Sequence, residues 1–195
     1  MHWRWWCGCL LLGQALSALA QAPQPRPGAP LLIDTQRSQL GFEVRTRIGQ
    51  RLQGVFPVYE GICEVLPDGR HQVRLRLSTA AAEIPDKPRY TAWMRGDSFF
   101  DVLRHPWMEF VSEPYQAETL ADGGELVGRL TLRGNSRAES LRIGPAECAR
   151  PGLDCPIAVN GDIARSRYGM DDWQIAVGDR VLLRMQVWLK DNPAP

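Results

Sequence analysis

The strongest constraint on the fold is an alternation of apolar and polar residues at every second position, repeated along the chain between short turn-forming clusters. It is cleanest over residues 71–78, where Val73, Leu75 and Leu77 share one face and Gln72, Arg74, Arg76 and Ser78 the other. Residues 126–133 repeat it, with Leu126, Gly128, Leu130 and Leu132 set against Val127, Arg129, Thr131 and Arg133. Residues 181–190 set Val181, Leu183, Met185, Val187 and Leu189 against Arg184, Gln186 and Lys190. Successive side chains of a strand point to opposite faces, so this pattern lays one sheet face on a core and the other in water. Weaker alternation runs through 39–47, 52–58, 107–112, 137–143 and 159–163. Pro67-Asp68-Gly69, Asp122-Gly123-Gly124, Arg133-Gly134-Asn135 and Val177-Gly178-Asp179 read as turns between strands. The expectation is an all-β domain of about eight antiparallel strands. Period two does not separate a closed barrel from a sandwich. Residues 88–96 break the pattern, and Tyr90–Arg95 reads as a short helix with Gly96 beyond its end.

The first twenty residues read as something other than fold. Arg4 precedes an apolar stretch that ends in Ala18-Leu19-Ala20, an A-x-A cleavage pattern, so residues 1–20 are expected to be a signal peptide. Residues 21–30 carry prolines at 23, 25, 27 and 30 and read as an extended tether, with the domain over 31–190 and a flexible tail over 191–195. The expected location is periplasmic or secreted, soluble after cleavage near Ala20. No apolar run approaches the roughly 20 residues needed for a membrane-spanning helix. Cleavage leaves Cys63, Cys148 and Cys155. Cys148 and Cys155 flank the turn former Ala149-Arg150-Pro151-Gly152 and are expected to pair in an oxidising compartment. Cys63, between Ile62 and Glu64 in a partly apolar stretch, reads as a small buried residue rather than a nucleophile.

Charge and motifs exclude several kinds of function. The 23 basic and 22 acidic residues nearly balance, so there is no net basic field of the kind that attracts nucleic acid. The two histidines past the signal, His71 and His105, are far apart in sequence and give no metal-binding spacing. Gly134-Asn135-Ser136-Arg137-Ala138 is one residue short of a nucleophile elbow and lies between two strands, so it reads as a hairpin turn. Asp171-Asp172 reads as a pair of loop acids, and Glu43 and Glu60 as ordinary charges on strand exteriors. Arg165-Ser166-Arg167 is a basic spot able to hold a phosphate or another polar head group. Trp93, Phe99, Phe100, Trp107, Phe110, Tyr168, Trp173 and Trp188 are either plain core or, in part, the lining of an apolar cavity.

These residues together resemble the YceI-like family of secreted, lipocalin-like polyisoprenoid-binding proteins, over about 31–189. The resemblance opens with Ile33-Asp34, Ser38, Leu40, Gly41 and Phe42, then Gly54-x-Phe56 and Gly61. Its most specific stretch is Arg95-Gly96-Asp97-Ser98-Phe99-Phe100-Asp101-Val102, followed by Pro106, Phe110 and Ser112. Leu126-x-Gly128-x-Leu130-Thr131-Leu132-x-Gly134, Ile163-x-Arg165-Ser166-x-Tyr168-Gly169 and Val177-Gly178-Asp179 complete it. Departures include Arg37 and Trp93 where the family often has histidine, Thr91 for Asp, His105 for Tyr, and a local insertion spanning Cys148–Cys155.

The resemblance implies an extended antiparallel barrel around a long apolar cavity shut at one end by short helices. It implies non-enzymatic binding of a polyisoprenoid lipid, an isoprenoid quinone or a prenyl chain, with no cofactor. Strand parity then assigns Phe42, Val44, Phe56, Leu75, Leu77, Phe110, Leu130, Leu132 and Val187 to the cavity wall. Trp93, Phe99 and Phe100 fall at the helical cap and Arg165 near a polar head. The partners to expect are the lipid itself and, transiently, a membrane or membrane protein, with the protein a monomer or homodimer. Two rival readings stand beside this one. One is an enzyme acting on an apolar substrate through Ser136, His71 or His105; the other is a solid barrel whose exterior binds a membrane redox partner.

Overall fold

Antiparallel pairing joins ten strands into one strongly curled sheet in the computed structural model, which describes residues 30–190. The strands are β1 (Leu31–Leu32), β2 (Gln39–Thr46), β3 (Arg51–Val55), β4 (Tyr59–Val65), β5 (His71–Ser78), β6 (Trp107–Ser112), β7 (Gly124–Leu132), β8 (Asn135–Ile143), β9 (Ile157–Ala164) and β10 (Val177–Val187). Their order across the sheet is β1-β4-β5-β6-β7-β8-β9-β10-β2-β3. Two short helices are α1 (Pro88–Arg95) and α2 (Thr119–Asp122), and Arg165–Tyr168 forms a 3-10 turn. The predicted signal peptide, the tail and all of the tether except Pro30 lie outside the described residues.

The all-β architecture matches the sequence expectation, with two strands more than the eight expected. β1 is too short for any period to show. β4 hides because its inward positions are Tyr59, Gly61 and Cys63 while Ile62 faces outward, which blurs the alternation. Val177-Gly178-Asp179 is not a turn: it opens β10, where the pairing with β2 shifts register between Val177 and Val181. The first chain segment ties the two sides of the sheet together at one end. β1 pairs with β4, and Ile33 bridges to Leu189 beyond β10. The Asp34 N–H donates to Trp188 O and the Lys190 N–H to Leu32 O, both at 2.8 Å.

Inward positions follow the predicted parity. Leu75, Leu77, Leu126, Leu130, Leu132, Leu183 and Met185 are all buried. Arg133 and Gly134 form a two-residue hairpin loop, with φ of 50° and 70°. Positive φ at both positions is the type I′ pattern that suits strand twist, and it is strained at arginine. The arginine is held there because its guanidinium donates to Gly169 O and, at 2.9 Å, to Asp97 O. Cys148 and Cys155 form the predicted disulfide. Its loop is stitched to the end of β10 by a 2.8 Å bond from the Leu189 N–H to Gly152 O. Cys63 is a free, buried thiol 3.6 Å from the Tyr115 hydroxyl, and burial raises its pKa.

One of the two glutamates read as exterior charges departs from expectation. Glu43 lies on the outer face, as its parity requires, yet it is only 2% exposed. Arg45, Arg51 and Arg184 cover it at 3.7, 3.9 and 3.7 Å, and neither carboxylate oxygen accepts a hydrogen bond. Glu60 is the ordinary exterior charge expected, paired with Arg76 at 2.6 Å. At the far end, the buried Nδ1 of His71 has no hydrogen-bond partner, and desolvation lowers its pKa below 6.5 against the opposing charge of Glu118. A depressed histidine pKa means that the unfolded chain binds the extra proton first. The contribution of His71 to stability is therefore complete above about pH 6.5 and lost as pH falls through and below that value. Chemical denaturation from pH 7.5 to 5 is expected to show this loss, and His71→Phe to flatten it; an unchanged slope in the variant would assign the loss to other groups.

Candidate functional site

One end of the barrel is hollow. A cavity of about 600 Å³ opens there, between the ends of β2, β3, β7, β9 and β10 and a cap made by α1 and the segments that follow it. Pro88, at the first turn of α1, has a fixed φ suited to starting a helix, so the helix begins two residues before the predicted Tyr90. Arg95 holds the helix to the barrel by donating to Ala82 O at 2.8 Å and Ala81 O at 3.2 Å. The Thr91 hydroxyl accepts from the Ile84 N–H at 2.9 Å and donates to Ile84 O at 3.2 Å. Threonine at this position is thus an anchor for the cap. Tight turns after α1, with Asp101 at φ 49°, aim Phe99 and Phe100 back at the cavity.

The floor is aromatic. Phe42 and Phe56 lie 5.3 Å apart, and Phe100 sits 6.3 Å from each. Gly54 makes room for this cluster, since a Cβ there would lie 2.1 Å from the Phe42 ring. The rim carries Trp93, 61% exposed, stacked on Trp173 at 6.2 Å with an interplanar angle of 12°. Ile48 and Ile175 stand nearly bare beside them on the lining of the mouth. The surface around the opening is therefore apolar as well as the interior.

Arg165 is the buried cation of this end, 2% exposed. Its Nε–H donates to Gly178 O at 3.1 Å, one Nη to Val177 O at 3.2 Å and the other to Met170 O. The guanidinium lies 5.5 Å over the Phe99 ring and borders the cavity. Desolvation lowers its pKa, while Asp179, Asp171 and Asp172 act in the opposite sense. The predicted basic spot is not a pair of open arginines. Arg167 is bonded to Glu139 at 2.7 Å, and the Asp179 carboxylate takes the Ser166 N–H and hydroxyl at 2.8 and 2.9 Å.

This 3-10 turn also repairs the barrel wall. β8 and β9 pair over only three residue pairs, from Leu141 with Gly161 to Ile143 with Val159, and diverge toward the cavity end. Tyr168 fills the gap, fully buried, and its hydroxyl donates to Glu139 at 2.7 Å. Removing that hydroxyl leaves a buried carboxylate short of one donor. Tyr168→Phe is expected to cost about 2 kcal/mol, the range for hydrogen bonds to charged groups, in a denaturant titration; a cost near zero would mean that water replaces the hydroxyl.

Eight of the residues assigned from sequence meet on this cavity: Phe42, Val44, Phe56, Trp93, Phe99, Phe100, Leu132 and Arg165. Five do not. Leu75, Leu77, Phe110 and Leu130 border a separate space of about 20 Å³ toward the other end, and Val187 is half-buried against the core near the close of β10. A space that small is little more than one water needs, so that half of the barrel is filled. Parity decides which face a side chain joins but not how deep along the barrel it sits. Leu52, Ile163 and Leu183 line the cavity and were readable as inward by parity. Ile48, Met170 and Ile175 come from loops, where no period exists to reveal them. Of the remaining aromatics, Trp107 and Trp188 face outward under Arg76 and Arg37, at 4.7 and 3.6 Å. Ser136, His71 and His105 are not among the cavity-lining residues.

The chain matches the YceI-like domain over residues 32–189. It is similar in structure to Burkholderia cenocepacia BcnA, with a TM-score of 0.65 at 19% identity, covering 80% of this chain and 98% of that one. It is also similar to a polyisoprenoid binding domain from Saccharophagus degradans implicated in plant cell wall breakdown, with a TM-score of 0.62 at 14% identity, covering 85% and 98%. A third likeness is to the Campylobacter jejuni YCEI protein, with a TM-score of 0.54 at 19% identity, covering 73% and 87%. At these identities the structural likenesses concern the fold. No curated protein sequence matches the chain.

Proposed function

Because the chain belongs to the YceI-like domain family, and because its barrel is hollow at one end, we propose that it binds a chain lipid of the polyisoprenoid class without transforming it. The carrying observation is the apolar cavity of about 600 Å³ with an open, tryptophan-rimmed mouth. Each methylene moved from water into such a space contributes about 0.8 kcal/mol, so a hydrocarbon chain binds tightly there with few polar contacts. At roughly 30 Å³ per non-hydrogen atom, the cavity takes about twenty such atoms. A longer isoprenoid tail leaves its remainder at the mouth, where Trp93, Trp173, Ile48 and Ile175 give it an apolar surface. The description of the Saccharophagus degradans domain as polyisoprenoid binding supports the same ligand class.

The protein works outside the cytoplasm in this reading. The Ala18-Leu19-Ala20 cleavage pattern and the Cys148–Cys155 disulfide, which suits an oxidising compartment, support export. Native mass spectrometry of protein purified from its own host, with organic extraction of the same sample, tests the proposal. The expected result is near-stoichiometric isoprenoid lipid. Protein that arrives empty and takes up no added prenyl lipid would overturn it.

A further inference from the structure

Resting on the lipid-binding reading above, we propose that Arg165 selects the ligand's head group, accepting an uncharged oxygen and, with the carboxylates around it, turning away anionic heads. A guanidinium carries five N–H donors. The carbonyls of Gly178, Val177 and Met170 take three, one on each nitrogen. Two N–H groups have no hydrogen-bond partner among the described residues, on a side chain that is almost fully buried and borders an apolar cavity. Donors left unmet in such surroundings are costly, and an oxygen on the ligand relieves that cost.

A buried arginine ordinarily points to an anion, but the charges around this one argue otherwise. No carboxylate forms an ion pair with it among the described residues, yet Asp171, Asp172 and Asp179 all act on it electrostatically. Asp97 also lines the cavity, but the charge it acts on is that of Arg104. The opposing cation is Arg47, whose Nε–H is given to Gln174 O at 2.9 Å. Three carboxylates thus act at a site with two guanidiniums, and a ligand that brought a further negative charge would raise an existing excess. An ester, ketone or quinone carbonyl meets the two spare N–H groups and adds no charge.

The test uses the full chain after signal removal and three ligands with one tail of about twenty carbons: an isoprenoid methyl ester, the corresponding free acid at pH 8, and the hydrocarbon. Displacement of a fluorescent lipid reads the affinities. The ester is expected to bind at least about tenfold more tightly than either of the others, the effect of one hydrogen bond to a charged donor. A crystal structure of the ester complex is expected to place its carbonyl oxygen within hydrogen-bond distance of Arg165. Tightest binding by the acid, equal binding by all three, or a carbonyl lodged elsewhere would each overturn the head-group assignment and leave lipid binding intact. Failure of all three to bind would instead overturn the lipid-binding reading on which it rests.

Discussion

Replacing both Val44 and Val181 by tryptophan is expected to yield a folded protein that no longer retains lipid. The two valines are register partners across β2 and β10, both half-buried, and both line the cavity. Each substitution adds seven non-hydrogen atoms, so the pair adds about fourteen, and at roughly 30 Å³ apiece they fill some two-thirds of the space. The indoles enter a void rather than a packed core, so the penalty of overpacking does not arise. Excluding even six methylenes of the ligand removes about 5 kcal/mol, which is more than a thousandfold in affinity. Titration with a prenyl lipid of about twenty carbons measures this, with thermal melting as the check on folding. Wild-type affinity in a folded double variant would show that the ligand lies elsewhere.

Gly128→Ala is expected to lower stability by about 3 kcal/mol, whereas Gly54→Ala is expected to lower it by only about 1 kcal/mol while weakening lipid binding. Both glycines face inward beneath a phenylalanine ring. A Cβ at Gly128 would lie 2.5 Å from Phe110 Cζ and 2.6 Å from the Val111 carbonyl oxygen. The ring stands in the filled half of the barrel and the carbonyl is backbone, so neither can withdraw. A Cβ at Gly54 would lie 2.1 Å from the Phe42 ring, which borders the open cavity and can swing into it. The same nominal clash thus reports whether the neighbouring space is solid or hollow. For a domain of this size, 3 kcal/mol corresponds to roughly 10 °C in melting temperature. Equal losses at the two sites would contradict the division of the barrel into a packed half and an empty half.

That division marks the limit of what strand parity conveys. Leu77 and Leu132 are both inward by their neighbours' polarity, and both are buried. Leu132 lies on the cavity, whereas Leu77 lies on the packed side with Phe110 and Leu130. Depth along a barrel depends on stagger, which emerges from pairings such as Leu75 with Phe110 and Phe110 with Leu130. Nothing in either strand alone encodes it. Glu43 teaches the same lesson on the outside. Its parity is that of an exterior residue, but the three arginines that cover it come from β2, β3 and β10. Arg165 is a similar case. Its place near a head group is an expectation from the family resemblance, while its position on the cavity, its three carbonyl partners and its surrounding acids depend on how residues 165–179 fold back.

Local chemistry alone determined the strand faces, the short helix that ends at Arg95 before Gly96, the hairpin at Gly134 and the joining of Cys148 to Cys155. Each of these depends on residues a few positions apart, whose side-chain period or backbone preference acts before any distant partner arrives. Only the assembled barrel decided that one half is solid and the other hollow, and that loop residues such as Ile48 and Ile175 border the opening. A cavity is a volume that several strands enclose and fail to fill, so its existence depends on the sum of side chains converging from all of them.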